Sequence, residues 1–248
     1  MIIRNQIKGT FIKRYKRFFV DCKLENGDIV TAHCPNSGSM KSLLNEKNKV
    51  YLTFNDDPKR KLKYTLNFMQ LEDGSLVCVN TNLPNELIYD SIKSNLVDEL
   101  KNPSDIVREV KYGEENSRID VLCKIDDKEV FVEVKNVTLI EEEENFNLKK
   151  IENLAQFPDA ITHRGAKHLR ELSKEVEKGK KAVMFYLVNR TDAKCFSIAK
   201  HIDYRYYEEF LRALKIGVEV LVYNTKIHIL ENNDIKITIN KKLPLVIE

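Results

Sequence analysis

Residues 117–137, SRIDVLCKIDDKEVFVEVKNV, constrain this chain more than any other stretch. Runs rich in Val, Ile and Phe lie on both sides of a short acidic turn, Asp126-Asp127-Lys128, and predict two adjacent strands joined as a hairpin. Side chains alternate faces along a strand. Val130, Val132 and Val134 therefore share one face, and Glu133 and Lys135 share the other. Pairing of the strands brings Asp120, on the first, close to Glu133 on the second. Two carboxylates and an ammonium then converge at one end of an apolar sheet.

Such a cluster is costly by itself. Two neighbouring carboxylates repel, and one takes up a proton unless a cation lies between them. A divalent ion resolves the conflict, since Mg²⁺ is held by one or two carboxylates together with phosphate and water. Asp120 and Glu133 are the expected ligands of Mg²⁺ or Mn²⁺. Lys135 is placed to neutralise charge growing on a phosphate or to orient the attacking water. The Asp…Glu-x-Lys arrangement resembles the PD-(D/E)xK nuclease superfamily. The tripeptide has little weight alone, because acid-x-Lys occurs at least eight times, starting at Asp21, Asp57, Glu99, Glu109, Asp126, Glu133, Asp192 and Asp234. Among these, the copy at Glu133 lies inside a β-branched run that directly follows a second acid-bearing strand. An edge strand carrying a solvated ion pair is the structural alternative.

The 248 residues allow one large domain or two ordinary ones, and 42% hydrophobic residues supply a sizeable core. No run approaches the ~20 apolar residues of a membrane helix, and the first residues, MIIRNQIKGTFIKRYKRF, lack the apolar core of a signal peptide. The expectation is a soluble cytoplasmic protein with no membrane association. Cys22, Cys34, Cys78, Cys123 and Cys195 are odd in number, widely spaced and mostly set in apolar stretches, which predicts buried reduced thiols. His33-Cys34 has no nearby partners with metal-ligand spacing. The net charge of +3 is unevenly spread: residues 1–83 hold 14 of the 41 Lys and Arg but 8 of the 38 Asp and Glu. The basic excess in the first third suits contact with a polyanion.

That first third reads as all-β. Arg14-Tyr15-Lys16-Arg17-Phe18-Phe19 mixes cations and aromatics on a strand, and Asn26-Gly27 is a hairpin signal between residues 21–25 and 29–33. Cys34 to Met40 is a small-residue loop. Residues 50–54, 62–71 and 76–79 are further strands. About five short strands suggest an OB-like barrel, a fold that often binds single-stranded nucleic acid through a basic groove and stacking aromatics. Arg14, Lys16, Arg17, Lys59, Arg60 and Lys61 fit that use, while Phe18, Phe19 and Phe54 also read as core. Pro84 then opens an amphipathic helix through Leu87, Ile88, Ile92, Leu96 and Leu100, stopped by Pro103. A strand over residues 106–112 and the hairpin follow. Residues 138–157 form no evident strand and read as a mobile insertion, with residues 141–144 a solvated acidic face. A helix over residues 161–178, a buried strand over 182–188, a helix over 206–214 and a strand over 218–223 complete the chain, with a strand-like tail. The expected architecture is an OB-like barrel over residues 1–83 and an α/β domain over residues 84–248 with an αβββαβ core, as in restriction-endonuclease-like folds.

Across nearly its whole length the chain resembles the sugar fermentation stimulation proteins of bacteria and archaea. The resemblance is carried by Arg14-Tyr15-Lys16-Arg17-Phe18, the run from Thr31 to Met40, Pro58-Lys59-Arg60-Lys61, the run from Val79 to Asn85, Arg108 to Gly113, Ser117-Arg118-Ile119-Asp120, Val132 to Leu139, Phe157-Pro158-Asp159-Ala160 and Arg164 to Leu169. Residues 140–156 are longer than the family leads one to expect, and Ser37 stands where Thr is usual, which keeps the hydroxyl. The resemblance implies the two-domain fold and DNA binding, single-stranded or duplex. As the superfamily would place it, the metal triad is Asp120, Glu133 and Lys135, with the Val134 carbonyl as a further ligand. An additional acid from the first helix would be Asp90, or else Glu109 on the next strand. Asn36 and Ser37 join the candidate nucleic-acid contacts, and Arg164 and Lys167, about one helical turn apart, are placed for phosphate. His168 reads as a capping or packing residue, or as an acid/base group. Three functions are open: a metal-dependent nuclease that binds DNA, a DNA-binding regulator of sugar metabolism that keeps the fold without the chemistry, and an interaction module that rests on the family name. No helix-turn-helix pattern points to operator recognition.

Overall fold

The structure, a computed structural model, describes residues 1–141 and 151–247. After a short strand β1 (Ile2–Ile3) come β2 (Ile7–Tyr15), β3 (Phe19–Leu24), β4 (Ile29–His33), β5 (Lys49–Phe54), β6 (Tyr64–Gln70) and β7 (Leu76–Cys78). Strands β2, β3 and β4 form a meander, β5 returns to β2, and β6 pairs with β5. A parallel pairing of β4 with β6, Ala32↔Tyr64 and His33↔Thr65, closes these five strands into the expected OB-like barrel. Alternate residues such as Val20, Cys22, Val50, Leu52 and Leu66 point inward and make its core. Register shifts after Phe11 and after Tyr51 bend the longer strands, as closure of a small barrel requires.

The second domain opens with α1 (Pro84–Lys93) and continues through β8 (Ser104–Tyr112), β9 (Ser117–Ile125), β10 (Lys128–Val137), β11 (Leu139–Ile140), β12 (Leu154–Phe157), α2 (His163–Glu177), β13 (Lys181–Val188), β14 (Cys195–Ile198), α3 (Tyr204–Ile216), β15 (Glu219–Ile229), β16 (Ile235–Lys242) and β17 (Leu245–Val246). Seven strands form one mixed sheet in the order β1-β16-β15-β13-β10-β9-β8. Strands β10, β13 and β15 run parallel at its centre. They are covered on both faces, which explains the uninterrupted apolar run Ala182-Val183-Met184-Phe185-Tyr186-Leu187-Val188. Val183, Phe185 and Leu187 pack towards α1; Met184, Tyr186 and Val188 pack towards α2 and α3. The hairpin turn between β9 and β10 is the acidic one expected, with Asp126 and Asp127 both in left-handed backbone.

Several expectations need correction. Ile2–Ile3 pair with β16, so the first residues belong to the second domain's sheet and not to the barrel. The first helix ends at Lys93; Ser94 caps it, Asn95 turns left-handed, and Leu96 is exposed. Residues 138–157 do contain strands. Leu139–Ile140 and Leu154–Phe157 join β14 and β17 in a second, four-stranded sheet, where neither short segment shows a period long enough to read. The expected mobile insertion falls largely on residues 142–150, outside the described residues. Of the acidic run, Glu141 is described and faces His201. Phe18 and Phe54 are exposed, not core. All five cysteines are free and buried, and burial raises the Cys22 and Cys78 thiols to about 12. Among the described residues no helix is long and apolar enough to cross a membrane.

The two domains share a core. Tyr51, Phe68, Leu76 and Cys78 of the barrel side pack with Leu87, Val132 and Phe185. Strand β7 extends the join through backbone bonds, Thr191 N–H to Leu76 O and Cys78 N–H to Asn189 O. Arg190, buried and paired with Asp192 at 2.6 Å, donates to Ser42 of the barrel and to the Thr138 carbonyl.

Candidate active site

The β9–β10 ladder is regular from Ile125↔Lys128 to Val121↔Val132 and stops there. The next residues along are Asp120 and Glu133. The Asp120 carboxylate takes over the ladder's role, accepting the Val134 N–H at 2.7 Å through Oδ2. Its Oδ1 accepts from Asn85 Nδ2, in the first turn of α1, at 2.6 Å. On the other side, Glu109 lies between the pairs Arg108↔Val121 and Val110↔Ile119, and so opposite Asp120, in left-handed backbone. Glu109 remains beside the pair by this register. Asp90 is exposed on α1, five residues past Asn85, and it is Asn85 that reaches Asp120.

Glu133 is 2% exposed. Its Oε1 accepts from Lys135 Nζ at 2.7 Å and from His168 Nδ1. Arg164 Nε donates to His168 Nε2 at 3.4 Å, which favours the tautomer whose Nδ1–H donates to Glu133, and Lys135 Nζ also lies 3.2 Å from that Nδ1. Burial also holds the imidazole below its ordinary pKa, and Lys135 adds to this against the Glu133 hydrogen bond. Burial works against a charged Glu133, but Lys135 and His168 outweigh it and keep the carboxyl below the usual range. Asp120 is pushed up to about 7, first by burial and then by the charge of Glu133. The second oxygen of Glu133, Oε2, is buried and has no hydrogen-bond partner among the described residues.

An unpartnered buried carboxylate oxygen costs free energy, roughly 1–3 kcal/mol or more for a charged group. A divalent cation at that oxygen and Asp120 would relieve both the orphan and the repulsion, so the donor set fits one. Among the described residues no group of three or more His, Cys, Asp and Glu forms a metal-ligating cluster. A cation here would therefore rest on Asp120, Glu133, a backbone oxygen and oxygens brought from outside.

Sequence reasoning missed Asn85, and left His168 between capping or packing and an acid/base role. His168 is neither a cap nor plain packing, since it holds one oxygen of Glu133. The pattern Arg164…His168, four apart on one helix, was the available signal. Asn85 had none.

The basic candidates divide into two groups. Arg14 is a scaffold residue: its guanidinium donates to the carbonyls of Arg17, Gly38, Ser39 and Asn36 at 2.7–2.9 Å. Asn36 is buried, bonded to Val79 O and to the Gly38 N–H. Lys167 Nζ is tied to the Glu115 carbonyl at 2.8 Å, and Arg60 to Thr65 Oγ1. Lys16 and Arg17 form the exposed β2–β3 turn, both in left-handed backbone; Ser37, Lys59, Lys61 and Arg164 are also exposed. These two barrel loops, β2–β3 and β5–β6, are the ones OB folds use for oligonucleotides. Exposed rings accompany them. Phe18 stacks on His33 at 6.4 Å, and Phe54 packs on Tyr64 at 5.2 Å with Lys63 over its face.

An OB-like barrel joined through a shared core to an α/β domain, with paired acids at the end of a β-hairpin, defines the class. Comparison with known proteins agrees. The family model described as the SfsA N-terminal OB domain matches residues 12–79, and that of the sugar fermentation stimulation protein RE domain matches residues 82–231. The chain is 47% identical over 240 residues to the sugar fermentation stimulation protein homolog of Pelagibacter ubique, covering 97% of this chain and 96% of that one. It is 46% identical over 222 residues to the homolog of a Marinomonas species, covering 89% and 82%. A Pyrococcus furiosus SfsA structure, described as a complex with Ca²⁺, matches with a TM-score of 0.83 at 25% identity, covering 100% of this chain and 98% of the other. The chain belongs to the sugar fermentation stimulation protein family.

Proposed function

We propose that this protein binds DNA through its barrel and hydrolyses phosphodiester bonds at Asp120, Glu133 and Lys135 with Mg²⁺ or Mn²⁺. The observation that carries this reading is the buried Glu133 Oε2, without a partner next to Asp120 in a cluster already supplied with a lysine. The Ca²⁺ in the Pyrococcus structure and the αβββαβ order, shared with restriction-endonuclease-like nucleases, support it. When bound, the cation would supply Lewis-acid polarisation of the phosphoryl oxygen. The chain's own groups do the rest. Asn85 and the Val134 N–H fix Asp120; His168 and Lys135 fix Glu133, and Lys135 would orient the attacking water. Water oxygen bonds to phosphorus and gives up one proton, the bond to one sugar oxygen breaks, and that oxygen takes up a proton, so the exchange balances. Arg164 is placed to meet the phosphate.

Two experiments test this. Purified protein with Mn²⁺ is expected to cut single-stranded or branched DNA and to stop when the metal is chelated. Intact substrate across single-stranded, duplex and branched forms with Mg²⁺ and Mn²⁺ would leave a DNA-binding protein without the chemistry. For the barrel, replacing Lys16, Arg17, Lys59 and Lys61 by Ala removes up to four phosphate contacts. The plot of log affinity against log salt is expected to flatten by about 0.7 per lost contact on a single strand. An unchanged slope would take those loops out of the interface.

A further inference from the structure

We infer that Lys111 and Arg118, near the tip of the β8–β9 hairpin, hold one backbone phosphate of the bound nucleic acid, at a site separate from the barrel loops. The inference rests on the DNA-binding reading above and adds to it a contact on the α/β domain.

Lys111 and Arg118 stand directly opposite each other in the β8–β9 ladder. Opposite residues of an antiparallel pair share a face, with Cβ atoms about 4.5–5.5 Å apart, and like charges placed so repel. Both residues are exposed. Neither makes a hydrogen bond or ion pair among the described residues. The charges around them are matched. Glu114 pairs with Lys174 at 2.9 Å, Glu115 with Arg170 at 3.7 Å, and Lys124, further along β9, with Asp105 at 2.8 Å. Asp120 is taken by Asn85 and the Val134 N–H. The hairpin therefore carries two cations side by side with no acid between them, the converse of the carboxylate pair at Asp120 and Glu133. An anion between the two cations removes the repulsion.

The backbone beneath the pair is held in place. The next rung, Tyr112↔Ser117, is buried, and Tyr112 packs on Phe131 with ring centroids 5.6 Å apart. Glu171 of α2, also buried, accepts the Glu114 N–H at 2.7 Å. Gly113 has left-handed backbone, and a Cβ built on it would lie 1.5 Å from Glu171 Oε2, so this approach to α2 depends on glycine. A concavity of about 400 Å³ lies at the tip, lined by Lys111, Arg118, Gly113 and Asn116 among others. It is larger than one phosphate group and bounded by exposed residues, so it admits a phosphate that is part of a polymer. Arg118 precedes Asp120 by two residues, about 6.6 Å along a strand. A phosphate held here therefore lies near the phosphodiester assigned above to the paired acids, which favours a nucleic-acid backbone over a free anion. Arginine offers a planar fork to two phosphate oxygens, and lysine a point charge to a third.

The test is the double variant Lys111→Gln, Arg118→Gln, titrated with a single-stranded oligonucleotide by fluorescence anisotropy, without metal and over a range of salt. Its plot of log affinity against log salt is expected to be flatter than that of wild type by about 0.7, one phosphate contact on a single strand. Without ligand at low salt the variant should melt no lower than wild type, because the repulsion is gone. The oligonucleotide should raise the melting temperature of wild type more than that of the variant, and inorganic phosphate at the same phosphate concentration should raise neither as far. An unchanged slope and affinity in the variant, with wild type binding the strand, overturns the inference and leaves DNA binding standing. Inorganic phosphate stabilising wild type as well as the oligonucleotide does, with the effect lost in the variant, overturns the assignment to a strand. A variant that melts well below wild type gives the pair a structural role and also overturns it. Wild type that binds no strand removes both readings.

Discussion

Glu133→Gln is expected to lower metal-dependent cleavage at least about 10²–10³-fold, the cost of removing one preorganised charge stabiliser. DNA binding should be retained or strengthened, because the variant removes a buried negative charge beneath the site the phosphate approaches. The change keeps the size of the side chain. Its amide oxygen can still accept from His168 and Lys135, but the oxygen that is orphaned in Glu133 becomes an amide nitrogen, which cannot ligate a cation. Metal binding gives a second readout that does not depend on cleavage. A cation that binds the folded state alone stabilises it by about 2.7 kcal/mol at a hundredfold excess over its dissociation constant. Wild type should therefore melt higher with Mn²⁺ and return on chelation, while Glu133→Gln should not respond. Cleavage at wild-type rate in the variant would place the chemistry elsewhere. A full thermal response to Mn²⁺ in the variant would detach the metal from this carboxylate.

Arg14→Ala is expected to cost about 3 kcal/mol of folding stability, and its effect on DNA should follow from that loss. Hydrogen bonds to a charged group contribute roughly 1.5–3 kcal/mol each, and Arg14 donates to four carbonyls. The sum is well below four times the single value, because the side chain is half-buried and water can reach part of the vacated site. The bonds join the β2–β3 turn to the loop at residues 36–39, so losing them loosens both segments together. Arg14→Lys keeps the charge but a single ammonium cannot span four acceptors, and it should restore less than half of the loss. Urea denaturation measures both variants. Wild-type stability in Arg14→Ala together with weakened DNA binding would return Arg14 to the phosphate-contacting group.

How much of this was legible beforehand depends on the range of the interaction. The hairpin of residues 117–137 and its turn could be read because period-two alternation and paired left-handed aspartates are local signals. The barrel could be read from turn residues at short spacing. The strands at Leu139–Ile140 and Leu154–Phe157 could not, since they are too short to show a period and exist because β14 lies beside them. Leu96 continues the helical spacing of Leu87, Ile88 and Ile92, yet is exposed, because the helix stops at Lys93 and left-handed Asn95 turns the chain. Arg14 looked like a cation offered to solvent. Nothing near it in sequence says that four carbonyls, most of them more than twenty residues away, close around it.

From its residues alone the chain is bound to have a hairpin with Glu133 and Lys135 on one face, a basic aromatic barrel ahead of it, and an acid one strand away at Asp120. These follow from alternation, turn chemistry and charge, which act over a few residues. Folding alone decided that the ladder stops at Val121↔Val132, that Asn85 and the Val134 N–H seize Asp120, and that His168 comes from a distant helix to hold one oxygen of Glu133 while the other stays bare. Those outcomes depend on which surfaces meet when two apolar cores close, and on what burial then does to the charges caught between them.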